Sequence, residues 1–475
     1  MINYKKEFPV QKSISRPKHL DMLNGPLLRN IFLFVIPLAA SSILQQLFNS
    51  ADVAVVGHFA GSQALAAVGS NGSIINLMVN LFVGLSTGGN AVIARYIGEG
   101  REDRIREAVH TVVAIALISG FVLILIGLTF SRVLLELVNS PEDVIDLAEL
   151  YLNIYFLGMP FIMLYNFGSS ILRSQGDTKR PLVILTFAGL VNICLNLIFV
   201  IVFNLGVAGV AIATVCSNAI SSLLILRLLI KAEGPFKLDL RKLHIAKVPL
   251  ISVIKIGVPS GIQSIVFSLS NMCIMSAVNS FGSACVAGNT SAANLTQYSH
   301  FIVNGFSQAT VTFTSQNYGA KNFDRCKKVF KYSLFFSMLL VLMMNIIYII
   351  FADGFVTIFS SDPIVNGYAV TRIRTIALFQ SLCCVYEIPA AAMRGMGIAF
   401  VPMLISLVGT CVIRLLWVFF IFPLYPDYRF LLSIYPISWL ITGIVMQFVY
   451  YNARRKMFEK SLNEKAPGER SLERA

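Results

Sequence analysis

The chain has 475 residues, 56% of them hydrophobic and only 13% charged, with a formal net charge of +14. A soluble domain devotes about a quarter of its residues to charge, so much of this surface faces something other than water. The eight cysteines are scattered through apolar stretches without a CxxC pair, which points to neither a disulfide framework nor a zinc site.

Apolar runs of about twenty residues, long enough to cross a hydrocarbon layer as helices, recur along the chain. The first thirty residues are polar and basic, with no short apolar core before the first long run. That run is therefore expected to be retained as a helix. Spanning helices are predicted near 31–56, 64–93, 108–130, 150–172, 181–203 and 206–230. After a basic linker at 231–249 they resume near 250–278, 286–314, 330–352, 371–393, 400–422 and 431–452. Gly, Asn, Ser and Thr dilute the second and the eighth. Runs this long suit helices, which satisfy their own backbone hydrogen bonds, rather than barrel strands. The expected protein is all-α and polytopic: a segment 1–30, six helices over 31–230, the linker, six helices over 250–452, and a tail 453–475.

Basic residues test this count, because loops on the cytoplasmic side collect Lys and Arg. With the first residues placed in the cytoplasm, all but five of the 38 Lys and Arg fall inside. The exceptions are Arg132, Arg372, Arg374 and Arg429 on the outer side and Arg414 within a helix. Omitting one helix would scramble this bias downstream of the omission. The expectation is a multi-pass protein of the cell membrane with both termini cytoplasmic. The positive charge is thereby placed against the membrane interface, and no nucleic-acid partner is expected.

The chain also repeats itself. A shift of 221 residues aligns Gly61-Ser62 with Gly282-Ser283, Gly84 with Gly305, Gly98 with Gly319, Arg173 with Arg394 and Gly176 with Gly397. Pro37 and Pro259 correspond after a one-residue gap. Two six-helix halves in the same orientation imply a repeat about an axis along the membrane normal, and such halves usually enclose a cleft near the midplane. That architecture favours transport by rocking one half against the other.

Charge inside the apolar runs marks the candidate residues. Asp52 sits in the first helix, where a carboxylate costs about 2.5–3.5 kcal/mol on the lenient insertion scale. It should persist only against a partner, a cavity or an ion, and it could load and release a proton. The alternative is an acid hydrated near the outer helix end. Asn192 and Asn196 are one turn apart on one face of the fifth helix; they either serve a site or act as interhelical glue worth about 0.6–2 kcal/mol each. Glu387, in the tenth helix, is either a second coupling group or counter-charge, or pairs with Arg414 in the eleventh. Pro37, Pro160, Pro259 and Pro389 lie in or near helix centres. Pro37, upstream of Asp52, could act as a hinge or simply set a static kink. No P-loop, HExxH or Ser–His–Asp pattern is present, so the chain is not expected to be an enzyme, and the driving force should be an ion gradient.

These residues resemble the multidrug and toxic compound extrusion (MATE) family over roughly 25 to 455. The resemblance rests on Pro37 followed by Asp52-Val-Ala-Val-Val-Gly-His58 and on the turn Gly61-Ser-Gln-Ala-Leu-Ala-Ala-Val-Gly69. Gly84-Leu-Ser86, Arg173-Ser-Gln-Gly-Asp-Thr178 before Pro181, and Arg394-Gly-Met-Gly397 complete it. It implies twelve helices in two pseudo-symmetric bundles around a central cleft, and export of small organic cations driven by proton or sodium entry, by a functional monomer. It maps Asp52, Asn192, Asn196 and Thr214 onto the family's cation or proton network, which would ligate Na⁺ if sodium is the coupling ion. No other cofactor is implied. Archaeal and many bacterial members carry an aspartate where this chain has Asn196, which leaves Asp52 as the only titratable centre of its lobe. Gln263 stands where some relatives place a glutamate. The competing reading is a flippase of lipid-linked oligosaccharides, with a distantly related fold and a basic cleft for pyrophosphate.

Overall fold

Two glycine pairs place four of the helix boundaries. Gly61 and Gly282, both at φ 88°, precede a helix in each half, and Gly176 and Gly397, at φ 90° and 91°, follow one. Each pair is 221 residues apart, so the repeat read from letters recurs in backbone dihedrals that only glycine adopts without strain. The computed structural model describes residues 20–137, 140, 142 and 144–463; most of the predicted leading segment and part of the tail lie outside these.

Described residues form helices without strands. They are α1 (Leu27–Phe59), α2 (Ser62–Glu99) and α3 (Glu102–Leu137), then α4, made of Ile145–Leu157 and Met159–Ser174 meeting at 48°, followed by α5 (Lys179–Val202) and α6 (Gly206–Ile230). The second half contains α7 (Lys247–Asn279), α8 (Ser283–Gly319), α9 (Phe323–Ile350), α10 (Pro363–Gly395), α11 (Phe400–Leu424) and α12 (Tyr428–Glu459). Ten of these are long and apolar enough to cross a membrane, and the bent α4 makes eleven. The twelfth rod, α8, is too polar for that test, yet at 37 residues it is about 55 Å long. Its Ser307, Thr310, Thr312 and Asn317 are buried against protein, which is why it needs no apolar coat. Side chains such as Phe121, Leu125, Ile444 and Phe448 are instead more than half exposed, as lipid-facing groups would be.

Helix irregularities repeat as well. The α4 break at Gly158 corresponds to a 3₁₀ stretch, Ala377–Leu382, in α10. A π segment, Ile198–Val202, ends α5, and two others, Leu407–Val412 and Trp417–Ile421, interrupt α11. Such segments often flank functional sites.

One buried apolar cluster is formed chiefly by α1–α6 and a second chiefly by α7–α12. The first halves of α1 and α7 cross over: Ile31 and Phe34 join the second cluster, and Val253 and Ile256 join the first. This crossing lies at the end of the molecule that carries the basic loops. There the backbones of α2 and α7 touch, with Gly84 and Gly88 facing Gly261 and Gly257, and Gly98 and Gly319 bring α2 against α8. Asn90 donates to Thr312 Oγ1 at 2.8 Å, Gln308 to Thr87 Oγ1 at 3.5 Å and Gln316 to the Ser174 carbonyl at 2.6 Å. The lobes are therefore sealed at the basic end. The linker is tied to α3 by Asp239 N–H on His110 Nε2 and Ala246 N–H on Thr111 Oγ1.

The predicted spans correspond to these twelve rods, with one correction. Arg372 is not at the outer surface but buried. Asp362 caps Ile364 N–H and Pro363 opens the helix, so α10 begins eight residues before the predicted 371 and carries Arg372 into the protein.

Candidate functional site

In the first lobe, α1 runs unbroken through Pro37 and brings Asp52 against α5. The Asn196 amide donates to Asp52 Oδ1 at 2.5 Å and to Asn192 Oδ1 at 3.3 Å, and the Asn192 amide donates to Thr214 Oγ1 at 3.4 Å. Thr214, in α6, is also within hydrogen-bonding reach of Asp52. All four residues singled out in this half thus meet in one network. Asn192 and Asn196 are buried and Asp52 is half-buried. Asn196 Oδ1 is buried with no hydrogen-bond partner. An orphaned carbonyl oxygen beside a carboxylate is costly unless something electropositive visits it. Carboxylate, carbonyl and hydroxyl oxygens form the donor set that a hard cation or a proton-carrying water would meet. Among the described residues no three His, Cys, Asp or Glu side chains cluster as a metal site, so an ion here would rest on neutral oxygens around one acid. Tyr151 and Tyr155, stacked at 6.0 Å, lie close enough to feel the Asp52 charge. Neither was singled out in the sequence.

In the second lobe, Glu387 pairs with Arg394 rather than with Arg414. Glu387 Oε1 accepts from Arg394 Nη2 at 2.5 Å and from Ser307 Oγ at 2.9 Å. The two are seven residues apart, two turns along one face of α10, so the pair needs no second helix. Arg394 Nη1 donates to Gln263 Oε1 at 3.3 Å, and Gln263 Nε2 donates to Ser406 Oγ at 3.1 Å. Gln263 is therefore part of the same polar cluster. Arg414 instead donates to Ser438 Oγ and Asn271 Oδ1 and lies 4.7 Å from the centre of the Tyr435 ring.

A cavity of about 700 Å³ opens beside this cluster, lined by Gln263, Glu387, Arg394 and also by Arg372, His300 and Trp439. Asn80 of α2 is the first lobe's contribution. Sequence reasoning missed Arg372, His300 and Gln380; a polar count along α8 and α10 could have flagged them, since their polar residues face inward. Asp52 is not in this cavity's lining, so the two polar centres sit in different lobes.

The comparisons with known proteins follow the same division of the chain. The MatE family model matches residues 37–198 and again 259–420. The probable multidrug resistance protein YoeA of Bacillus subtilis is 29% identical over 80% of this chain and 83% of its own length. A FAD transporter of Shewanella oneidensis is 25% identical over 66% of this chain and 71% of its own. Among solved structures, a MOP superfamily transporter from Pyrococcus furiosus, described as having a binding pocket of reversed polarity, superposes with a TM-score of 0.87. It is 24% identical and covers 93% of this chain and 99% of that one.

Proposed function

This chain belongs to the MATE family of multidrug efflux transporters, and from that premise we propose that it is a secondary antiporter whose coupling ion, H⁺ or Na⁺, loads at Asp52. The carrying observation is the Asp52–Asn196–Asn192–Thr214 network with its orphaned Asn196 oxygen. An acid held in a membrane helix needs a counter-charge. A coupling cation supplies it in one state, and the ammonium of an organic cation in the other. Because both need the same carboxylate, entry of one favours release of the other, which is the condition for exchange. Asn196 orients the carboxylate by its amide donor and leaves its own oxygen as an extra ligand. Asn192 and Thr214 hold Asn196 in place.

The positive-inside rule assigns the basic end to the cytoplasm of a cell membrane. The sealed end is then the inner one, and the cleft faces outward. Rocking the lobes about the α2–α7 seam would expose Asp52 inward, with Pro37 available as the point where α1 bends.

The test is efflux of a fluorescent organic cation from proteoliposomes under a pH gradient and, separately, a sodium gradient. Wild type should respond to at least one gradient, and Asp52→Asn to neither. A mutant that exports as well as wild type would remove Asp52 from the mechanism, and a wild type that ignores both gradients would refute antiport. One observation favours a second reading, transport of phosphate-bearing lipids: the basic character of the second-lobe cavity, lined by Arg372 and Arg394.

A further inference from the structure

The second lobe holds more buried positive charge than Glu387, its one acid beside the cavity, can match. Glu387 is already paired with Arg394. Arg372 is only 9% exposed and lines the cavity; its Nη1 donates to Asn289 Oδ1 at 2.7 Å, and its Nε is buried without a partner. Asn289 is neutral and also accepts from the Tyr428 hydroxyl. Arg414, 1% exposed, is bound only to the neutral Ser438 and Asn271, and its Nη2 is buried without a partner. Both guanidiniums lie over the ring of Tyr435, at 5.4 and 4.7 Å, and Tyr435 lines the cavity. Cation–π contact softens but does not replace a missing counter-ion. Arg372 and Arg394 line a cavity of about 700 Å³ together with Glu387, and Arg414 lies behind its Tyr435 wall, so three arginines share one carboxylate. Cations buried in this way are costly unless paired.

We propose that this cavity binds the oxyanion group, carboxylate or phosphate, of an amphiphilic organic solute, with Arg372 as its charged contact and Arg414 supplying field from behind Tyr435. A guanidinium with a free N–H edge is matched to planar and tetrahedral oxyanions. Phe267, Tyr435 and Trp439 offer an aromatic wall for the apolar body of the same molecule. The inference deepens the transport reading by giving the cargo an acidic group as well as the ammonium that meets Asp52 in the other lobe, and it rests on that reading only for the cargo's movement, since equilibrium binding needs no gradient.

The chain has two tryptophans, and only Trp439 lines the cavity. With Trp417→Phe as background, Trp439 reports binding in full-length protein reconstituted in phosphatidylcholine vesicles without any gradient. A carboxylated aromatic dye should quench Trp439 saturably, and its uncharged amide analogue should bind about tenfold more weakly or worse. Arg372→Gln should lose a similar factor for the carboxylate and nothing for the amide, and Arg372→Lys should fall between. Equal affinity for the two dyes in wild type overturns the proposal, even if the arginine variants fail to fold. So does undiminished carboxylate binding by a folded Arg372→Gln. Adding phosphatidylglycerol separates the sources of the anion: competition with the dye supports a lipid headgroup, and no competition supports a soluble anion. Protein that binds the dye as expected but exports nothing under either gradient would refute antiport and leave this site standing.

Discussion

Replacing Gly84 with alanine should weaken the seal at the basic end and shift the transporter toward its opposite conformation. A Cβ at Gly84 would lie 2.2 Å from the Gly261 nitrogen, 2.4 Å from its Cα and 2.9 Å from the Ser260 carbonyl carbon. All three are backbone atoms of α7, so no side chain can swing aside. Ordinary contact begins at 3.4 Å, and the two helices must part locally by about 1.2 Å. Inserting a methyl group into a packed interface costs about 1–3 kcal/mol, which corresponds to about a 5- to 150-fold shift in the ratio of the two states. The opposing Gly257 and Gly261 make the same close approach from the other side, so relief by sliding along the seam is blocked. Spin labels at the exposed Glu102 and Asp324, in the first turns of α3 and α9, would report the separation of the lobes at this end by double electron–electron resonance. The short-distance population should fall in Gly84→Ala. Gly72→Ala, also in α2 but with nothing within 4 Å of the added methyl, is the control. Matching distance distributions for wild type, Gly72→Ala and Gly84→Ala would refute the idea that backbone contact at this seam holds the closed state.

Two further outcomes follow from the same geometry. Glu387→Gln strands the Arg394 guanidinium in the second lobe and should destabilise the protein by about 3 kcal/mol, as loss of one member of a buried pair does. The double variant Glu387→Gln/Arg394→Gln should recover part of that in a thermal-unfolding series, and strict additivity would show that the pair is not coupled. Thr312→Val deprives the Asn90 amide of its acceptor; losing this inter-lobe bond should cost about 0.5–1.5 kcal/mol and move the spin-label distances in the direction of Gly84→Ala, by less. A shift the other way would mean that this bond opposes the seal.

Much of the first-lobe site was legible because an ionisable side chain in a membrane helix is expensive and therefore conspicuous. Asp52 stood out on that ground, and the one-turn spacing of Asn192 and Asn196 put both on the face that meets it. The second lobe was harder. Glu387 was visible as an intramembrane acid, but its partner was expected in α11, since Arg394 read as part of a cytoplasmic loop. Arg372 was hidden for a related reason: the predicted helix began only at 371, which put it at the outer end, whereas the polar stretch after Pro363 forms the first turns of α10 and carries it to the cavity.

Sequence alone determined the helical class, the number of rods, the duplication and the gathering of basic residues in alternate loops. Each follows from local rules of length, hydropathy and spacing that hold before the chain folds. Only tertiary structure decided which charges are matched. Pairing depends on distances between side chains on one helix or on several, and those are set by the glycine contacts that bring α2 to α7 and by the breaks in α4, α5, α10 and α11. Linear order says nothing about such approaches, so the acid-centred network of one lobe and the arginine-rich cavity of the other emerged only when the helices were packed.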